Sequence, residues 1–334
     1  MTVLVEDLGW WSVSEQSTVG AVRRAATALG TELGLSDGRV ADLGIVAAEV
    51  TSNLLKHAND GAVHLRALRD DAGRPAGVEL VAIDAGPGMA DLVASSRDGH
   101  STAGTLGIGL GAISRQATRL DVFSEPGRGT VLVAAVWGGR PPPEPWAVGL
   151  TRPIAGETVS GDAYSVREVS GRRQAFLSDG LGHGPLASRA SQTAATAFRD
   201  APAGSPAAVL EHLHRAVAHT RGAVGAVIEL DRAAGVLSCA SVGNIAGWVV
   251  GHQRRRGLAA QPGFLGDRQR RTIREYTTAL NDEDVVVLHT DGLTDRWNLA
   301  DYPGLLTREP LTIAATLLRD AGLRRDDAGV LVAR

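Results

Sequence analysis

The sequence predicts an α+β protein built as two domains in series, and three observations carry that expectation. Two stretches between residues 17 and 57 place apolar residues at helical spacing, and strand-like runs follow them as far as residue 137. Gly138-Gly139-Arg140-Pro141-Pro142-Pro143-Glu144-Pro145 then interrupts any regular element, because proline fixes its own φ and carries no amide hydrogen. Beyond it, short apolar runs resume with helical stretches inserted among them, which is the pattern of a layered sandwich. The expected division is residues 1–137, a linker over 138–145, and residues 146–334. A chain of 334 residues suits two domains, and 44% hydrophobic content suffices for two cores. Aromatic residues are only 4%, so Ala, Val and Leu carry the packing.

In the first domain, Ser17 to Gly34 carries Val19, Val22, Ala26 and Leu29 on one helical face, with Gly34 as a stop. Ser36 is placed to cap a second helix running to about His57, with the apolar stripe Val40, Leu43, Ala47, Val50 and Leu54. Beside that stripe lies a polar row, Glu49, Asn53 and His57, each four residues apart. Val63–Leu68 and Val78–Ile83 read as strands, the second ending in Asp84-Ala85-Gly86-Pro87-Gly88. Gly104, Gly107, Gly109 and Gly111 then lead into a helical stretch through Gln116, so that backbone amides can face an anion at a helix N-terminus. Asp121–Ser124 and Thr130–Trp137 close the domain as strands around Glu125-Pro126-Gly127-Arg128-Gly129. The glycine-rich stretch is not a P-loop, since no Gly-Lys-Ser/Thr follows, and no strand leads directly into it as in a Rossmann unit.

The second domain reads as strands at Ala163–Val169, Gln174–Leu177, Ala223–Leu230, Val236–Val242, Gly247–Val250, Ile273–Thr277, Val285–His289 and Val330–Ala333. Helices are expected at Pro185–Arg199, Pro206–Thr220 and Thr312–Ala321, and Asp231–Gly235 as a hairpin turn. Four acidic positions each lie beside a strand: Asp162 after Gly161; Asp179 in Asp179-Gly180-Leu181-Gly182-His183-Gly184; Asp291 in Thr290-Asp291-Gly292; and the pair Asp326-Asp327. Their recurrence implies one carboxylate cluster, a donor set for hard divalent cations such as Mg²⁺ or Mn²⁺. The basic run Arg254-Arg255-Arg256 reads as a solvated loop, with contact to an acidic partner face as the alternative.

Composition removes several function classes. A net charge of −3 argues against a general nucleic-acid binder. The single cysteine, Cys239, rules out an internal disulfide and reads as a small core residue. A thiol phosphatase would need arginine six residues beyond it, where Ile245 stands. Met1–Trp11 has no secretion-signal pattern and no run is long enough for a membrane span, so a cytoplasmic protein without membrane partners is expected.

The ordered set of a Glu-x-x-x-Asn helix, an Asp-x-Gly-x-Gly turn, a glycine-rich lid and a terminal Gly-x-Gly-Thr strand resembles the GHKL (Bergerat) ATP-binding fold. Within it, the set is most similar to the small serine kinases of the anti-sigma-factor type (RsbW- and RsbT-like). The resemblance spans about residues 10–137 and implies an ATP site with Mg²⁺. Asn53 would hold Mg²⁺ against the phosphates, and Glu49 would act as base or orient the nucleophile. Asp84 would accept from the adenine amino group, with Gly86, Gly88 and Thr130 around the base. Gly104, Gly107, Gly109 and Gly111 would wrap the phosphates.

Ser160-Gly161-Asp162, the Asp-Gly-x-Gly-His-Gly string at 179–184, Thr290-Asp291-Gly292 and Asp326-Asp327 resemble, in order, the metal-dependent protein phosphatases of the PPM superfamily, in the SpoIIE/RsbX branch. Two departures stand out: Ser160 where the family often has glycine, and Gly329 where it usually has Thr or Ser. The resemblance implies an α-β-β-α sandwich and hydrolysis of phosphoserine or phosphothreonine on a protein. Two Mn²⁺ or Mg²⁺ ions would share Asp179, with Asp162, the Gly180 carbonyl, Asp291 and Asp326 or Asp327 completing the site. Such ions would activate a water for in-line attack on phosphorus. His183 would donate a proton to the leaving group or order its loop. Together the halves imply a partner-switching regulator acting on a phosphorylated STAS-domain protein of the anti-anti-sigma type, and on other switch proteins of such a circuit. Two alternatives stand: an N-terminal domain that senses ATP without transferring phosphate, and a non-catalytic partner-binding module.

Overall fold

The structure, a computed structural model, describes residues 4–70, 72–90, 109–252, 254–267 and 272–334. It divides into two compact units, Met1–Glu144 and Pro145–Arg334.

The first unit is a five-stranded antiparallel sheet with helices on one face. Its strands are β1 (Leu4–Ser12), β2 (Ala62–Arg69), β3 (Pro75–Ile83), β4 (Arg119–Glu125) and β5 (Gly129–Trp137), ordered β1-β2-β3-β5-β4. Its helices among the described residues are α1 (Gln16–Glu32), α2 (Asp37–His57) and α3 (Gly109–Gln116). Ser36 caps α2 as expected, its hydroxyl accepting from the Arg39 amide. Val63, Leu65 and Ala67 of β2, with Val78, Leu80 and Ala82 of β3, present alternate side chains to one face. That face packs on Val22, Ala26 and Leu29 of α1, on Leu43, Ala47, Val50 and Leu54 of α2, and on Ile113 of α3. Strand β1 was not expected. Its register slips between Asp7 and Gly9, and that bulge breaks the two-residue alternation by which a strand is read.

The second unit stacks two antiparallel sheets. One contains β7 (Asp162–Val169), β8 (Arg172–Gly180), β9 (Ala223–Asp231), β10 (Val236–Val242) and β13 (Tyr276–Ala279), ordered β13-β10-β9-β8-β7. The other contains β6 (Ala147–Arg152), β11 (Ala246–Val250), β12 (Arg255–Gly257), β14 (Val285–His289) and β15 (Ala328–Ala333), ordered β12-β11-β14-β15-β6. Ala175, Leu177, Ile228, Leu237 and Cys239 from the first meet Val249, Val286, Leu288 and Leu331 from the second. Cys239 is a core residue, and burial pushes its thiol up to about 12. Helices α4 (Pro185–Asp200) and α5 (Pro206–Ala216) cover the outer face of the first sheet, where Phe176 stacks on Phe198 at 5.4 Å. Helix α6 (Pro310–Ala321) packs on β6 and β15, which completes α-β-β-α layering.

Several boundaries differ from expectation. The strand expected at Ile273–Thr277 lies at Tyr276–Ala279, and the helix expected to reach Thr220 ends at Ala216. Strand β6 was unread because it is short, holds a glycine and ends beside Pro153. Arg254–Arg256 is not a plain solvated loop: Arg255 and Arg256 belong to β12, paired with β11, and the Arg255 guanidinium lies over two tryptophan rings.

Candidate functional site

In the first unit, Glu49 and Asn53 stand one turn apart on α2 and are half-buried, while His57 is exposed at the helix end. Gly109 of helix α3 lies against them. A Cβ added to Gly109 would lie 2.9 Å from Asn53 Oδ1 and 3.2 Å from Glu49 Oε2, so a larger residue here would have to displace one of these side chains or the helix. The Asp84 turn abuts the far end of α2, where the His57 carbonyl lies against Gly86. Asp84 is buried, its Oδ1 accepts from the Gly86 amide at 2.7 Å, and its own amide donates to the Thr130 carbonyl. The Thr130 and Ser124 hydroxyls are 2.8 Å apart, the Met89 amide donates to Ser124 Oγ, and the Gly127 amide donates to the Pro87 carbonyl. The structure therefore brings Glu49, Asn53, Asp84, Gly86, Gly88, Gly109, Gly111 and Thr130 onto one connected set of elements. Gly104 and Gly107 lie outside the described residues.

In the second unit, strand parity delivers the carboxylates. Ala175 and Leu177 of β8 face the space between the sheets, so Asp179 does too, at the strand's end. Asp162, the first residue of β7, is its direct cross-strand neighbour. Leu288 faces inward from β14, which puts Thr290 on the same side, and Leu331 of β15 does the same for Gly329 and Asp327. Thr290 Oγ1 donates to Asp162 Oδ2 at 2.8 Å and accepts from the Gly329 amide at 2.9 Å. A Cβ on Gly329 would lie 3.0 Å from Asp162 Oδ2, so here a departure from the family pattern makes room for a carboxylate. Asp327 Oδ1 accepts from the Ile154 amide at 2.9 Å, and Asp326 Oδ1 accepts from the Asp327 amide. Asp291 Oδ2 accepts from Asn244 Nδ2 at 2.8 Å. The Gly180 amide donates to the Gly161 carbonyl.

The electrostatics describe a cluster of mutually repelling acids. Burial, then the charge of Asp179, pushes Asp162 well above the usual carboxylate range. Burial, then Asp291, Asp326 and Asp327, raises Asp179 to about 7. Burial foremost also raises Asp291 and Asp327. Asp162 Oδ1 and Asp327 Oδ2 are buried without a hydrogen-bond partner, which is costly for a carboxylate unless something else satisfies it. No three His, Cys, Asp or Glu side chains among the described residues converge as ready-made ligands. The acids act on one another through their fields instead. Carboxylates plus backbone carbonyls form an all-oxygen set, and its two unpartnered buried oxygens fit hard divalent cations. His183 is not in the cluster's interior. Its side chain is 65% exposed, and Nδ1 lies 3.3 Å from Glu157 Oε1.

Three residues of the site are not legible as such in the sequence. Thr290 stands out only as part of a motif, although it ties β14 to Asp162. Asn244, which orients Asp291, and Glu157, which meets His183, carried no motif signal. The one local hint for Asn244 was its place after a glycine at the end of a strand-like run.

Residues 170–334 match the family described as Stage II sporulation protein E (SpoIIE), and residues 12–136 match the histidine kinase-like ATPase domain. The serine/threonine-protein kinase RsbT of Bacillus subtilis (strain 168) is 29% identical over 117 residues, 35% of this chain and 86% of that protein. A chain solved in work on "The bacterial stressosome: a modular system that has been adapted to control secondary messenger signaling" is 31% identical. It covers 56% of this chain and 98% of its own length, with a TM-score of 0.51. The crystal structure of RsbX in complex with magnesium is 19% identical over 56% of this chain and 92% of that one, with a TM-score of 0.47. Among the described residues, no helix is long and apolar enough to cross a membrane. Residues 170–334 are therefore a phosphatase domain of the SpoIIE type, preceded in the chain by a histidine kinase-like ATPase domain over residues 12–136.

Proposed function

We propose that the chain is a two-site regulator: a divalent-metal-dependent phosphoserine/phosphothreonine phosphatase whose ATP-binding domain phosphorylates the same class of partner, a STAS-domain protein of the anti-anti-sigma type. The observation that carries the phosphatase half is the pair of buried, unpartnered carboxylate oxygens, Asp162 Oδ1 and Asp327 Oδ2, within a set of acids whose pKa values are raised. Such a set is poorly stabilised by the protein alone and suited to holding cations. Asp179, Asp162, Asp291, Asp326, Asp327 and the Gly180 carbonyl would hold two Mn²⁺ or Mg²⁺ ions. When bound, these ions supply an acidified water and offset charge on the phosphoryl oxygens. The protein's own part is positioning. Thr290 fixes the rotamer of Asp162, Asn244 turns Asp291, and the Ile154 amide holds Asp327. His183, exposed and beside Glu157, stands where it can order the substrate-facing loop or pass a proton to a leaving serine.

For the ATP domain, the close approach of α3 to Asn53 and Glu49 supports Mg²⁺-ATP binding, with phosphates at the start of α3 and the base beside Asp84, Gly86, Gly88 and Thr130. Phosphoryl transfer demands placement and charge neutralisation more than covalent chemistry, and Glu49 lies one turn from Asn53 to orient or deprotonate a serine hydroxyl. The test is a time course with purified protein, radiolabelled ATP, Mn²⁺ and a STAS-domain partner. Label should enter the partner serine and then leave as inorganic phosphate. Failure of a serine-phosphorylated STAS protein to lose phosphate, while p-nitrophenyl phosphate is hydrolysed, would overturn the substrate class.

A further inference from the structure

Arg255 belongs to neither site, yet its surroundings are specific. Its guanidinium carbon lies 3.5 Å from the ring centroid of Trp248 on β11 and 3.9 Å from that of Trp297, in the segment after β14. Arginine's flat, weakly hydrated cation suits a slot between two indoles, where lysine's compact ammonium does not. From that slot Nη1 donates to the Asp295 carbonyl at 3.0 Å and to the Trp297 carbonyl. Trp297 Nε1 in turn donates to Nε2 of buried His289 at 3.4 Å, and Asp295 Oδ1 lies 3.1 Å from the same nitrogen. His289 ends β14, and Thr290 and Asp291 follow directly.

The segment leaving β14 is therefore held at both ends. Near its start, Thr290 is bonded to Asp162 and Gly329, and the Thr294 amide donates to the Ala321 carbonyl. At its return, Arg255 grips residues 295 and 297. Between them Asp291 has no regular secondary structure, and Asp326 repels it. We propose that Arg255 is a positioning residue for Asp291: the Trp248–Arg255–Trp297 stack fixes the returning limb of segment 291–298, so the Asp291 carboxylate stays turned toward the acidic cluster and Asn244. The inference rests on the metal-site reading above for its consequence, but the clamp itself does not require a metal.

Two measurements on the full chain test it. Hydrogen exchange without added metal reads the clamp directly, and Arg255→Gln should speed exchange of the amides in 291–298. Calorimetric Mn²⁺ titration reads the consequence. Arg255→Gln should weaken binding about tenfold, the size usual for losing a group that orients a ligand. Arg255→Lys should recover little, because it keeps the charge without the plane. With p-nitrophenyl phosphate, the Mn²⁺ concentration for half-maximal rate should rise while the rate at saturating Mn²⁺ stays near wild type, a split that general loosening of the fold would not produce. Should Arg255→Gln fold poorly, Trp297→Phe keeps a ring on the guanidinium, loses the bond to His289, and should give the same shift in smaller measure. Unchanged exchange in 291–298 overturns the clamp. Faster exchange with unchanged Mn²⁺ affinity overturns the link to Asp291. A wild-type chain that takes up no Mn²⁺ sinks the metal reading, and the clamp is then decided by exchange alone.

Discussion

Asp179 and Thr290 contact the same cluster, but substitutions at the two should move stability in opposite directions. A carboxyl raised to about 7 from 3.8 keeps its proton in the folded chain across a range where the unfolded chain has lost it. The folded state then binds more protons, so stability of the cation-free protein falls as pH rises through that window and stays lowered above it. Asp179→Asn removes the charge and keeps the shape. It should abolish Mn²⁺-dependent hydrolysis of p-nitrophenyl phosphate, yet raise the cation-free melting temperature at pH 7.5 by about 3–6 °C, with the gain vanishing near pH 4. Scanning calorimetry in chelator at the two pH values decides it, and an equal shift at both would refute the electrostatic account. Thr290→Val keeps the volume but takes away a donor to Asp162 and an acceptor for the Gly329 amide. Two buried groups lose partners, at a cost of about 2–4 kcal/mol, so urea unfolding should show a lower midpoint at unchanged slope.

At the scale of elements, what could be read was what is local. The stripe and cap of α2, the Asp-Gly endings of β8 and β14 and the hairpin at 231–235 are all written within a few neighbouring residues. The same holds for the row that brings Glu49 and Asn53 onto one face. What could not be read depends on distant partners: Thr290 meets Asp162 from 128 positions away, and Asn244 meets Asp291 from 47. Strand β12 is three residues, two of them arginine, and becomes a strand only because β11 offers an edge and two tryptophans offer a slot. Bulged β1 and short β6 lack the alternation that would announce them. The junction of α2 with α3 gives the element-scale prediction. Gly109→Ala adds a methyl where Asn53 Oδ1 lies 2.9 Å away, so α3 must withdraw or Asn53 must turn. Calorimetry should find Mg²⁺-ATP affinity reduced by about tenfold or more. Helix propensity favours alanine by about 1 kcal/mol, so the melting temperature should barely fall. Unchanged ATP affinity would remove α3 from the nucleotide site.

An ATP-binding domain joined to a phosphatase domain raises the question of whether ATP is a phosphate donor or a signal. Both readings require the same binding residues, so no variant that loses ATP can tell them apart. Glu49→Gln can. The amide keeps the shape and most of the hydrogen bonds of the carboxylate, so ATP should still bind with an affinity within about threefold of wild type. It cannot accept a proton, so transfer to serine should fall by about 10²–10⁴-fold if Glu49 is the base. The comparison needs a chain that cannot erase its own product, so both proteins also carry Asp179→Asn. Label entering a STAS-domain partner only with Glu49 intact identifies a kinase. If both proteins bind ATP and neither labels a partner that the wild-type chain dephosphorylates, ATP acts as a signal instead. Its effect then has to appear in the phosphatase rate of the otherwise unaltered chain, measured with and without a non-hydrolysable analogue. A rate that ignores the analogue would leave the sensor reading without support as well. The kinase is the better expectation, because Glu49 lies one helical turn from Asn53 and the two meet Gly109 of α3 together.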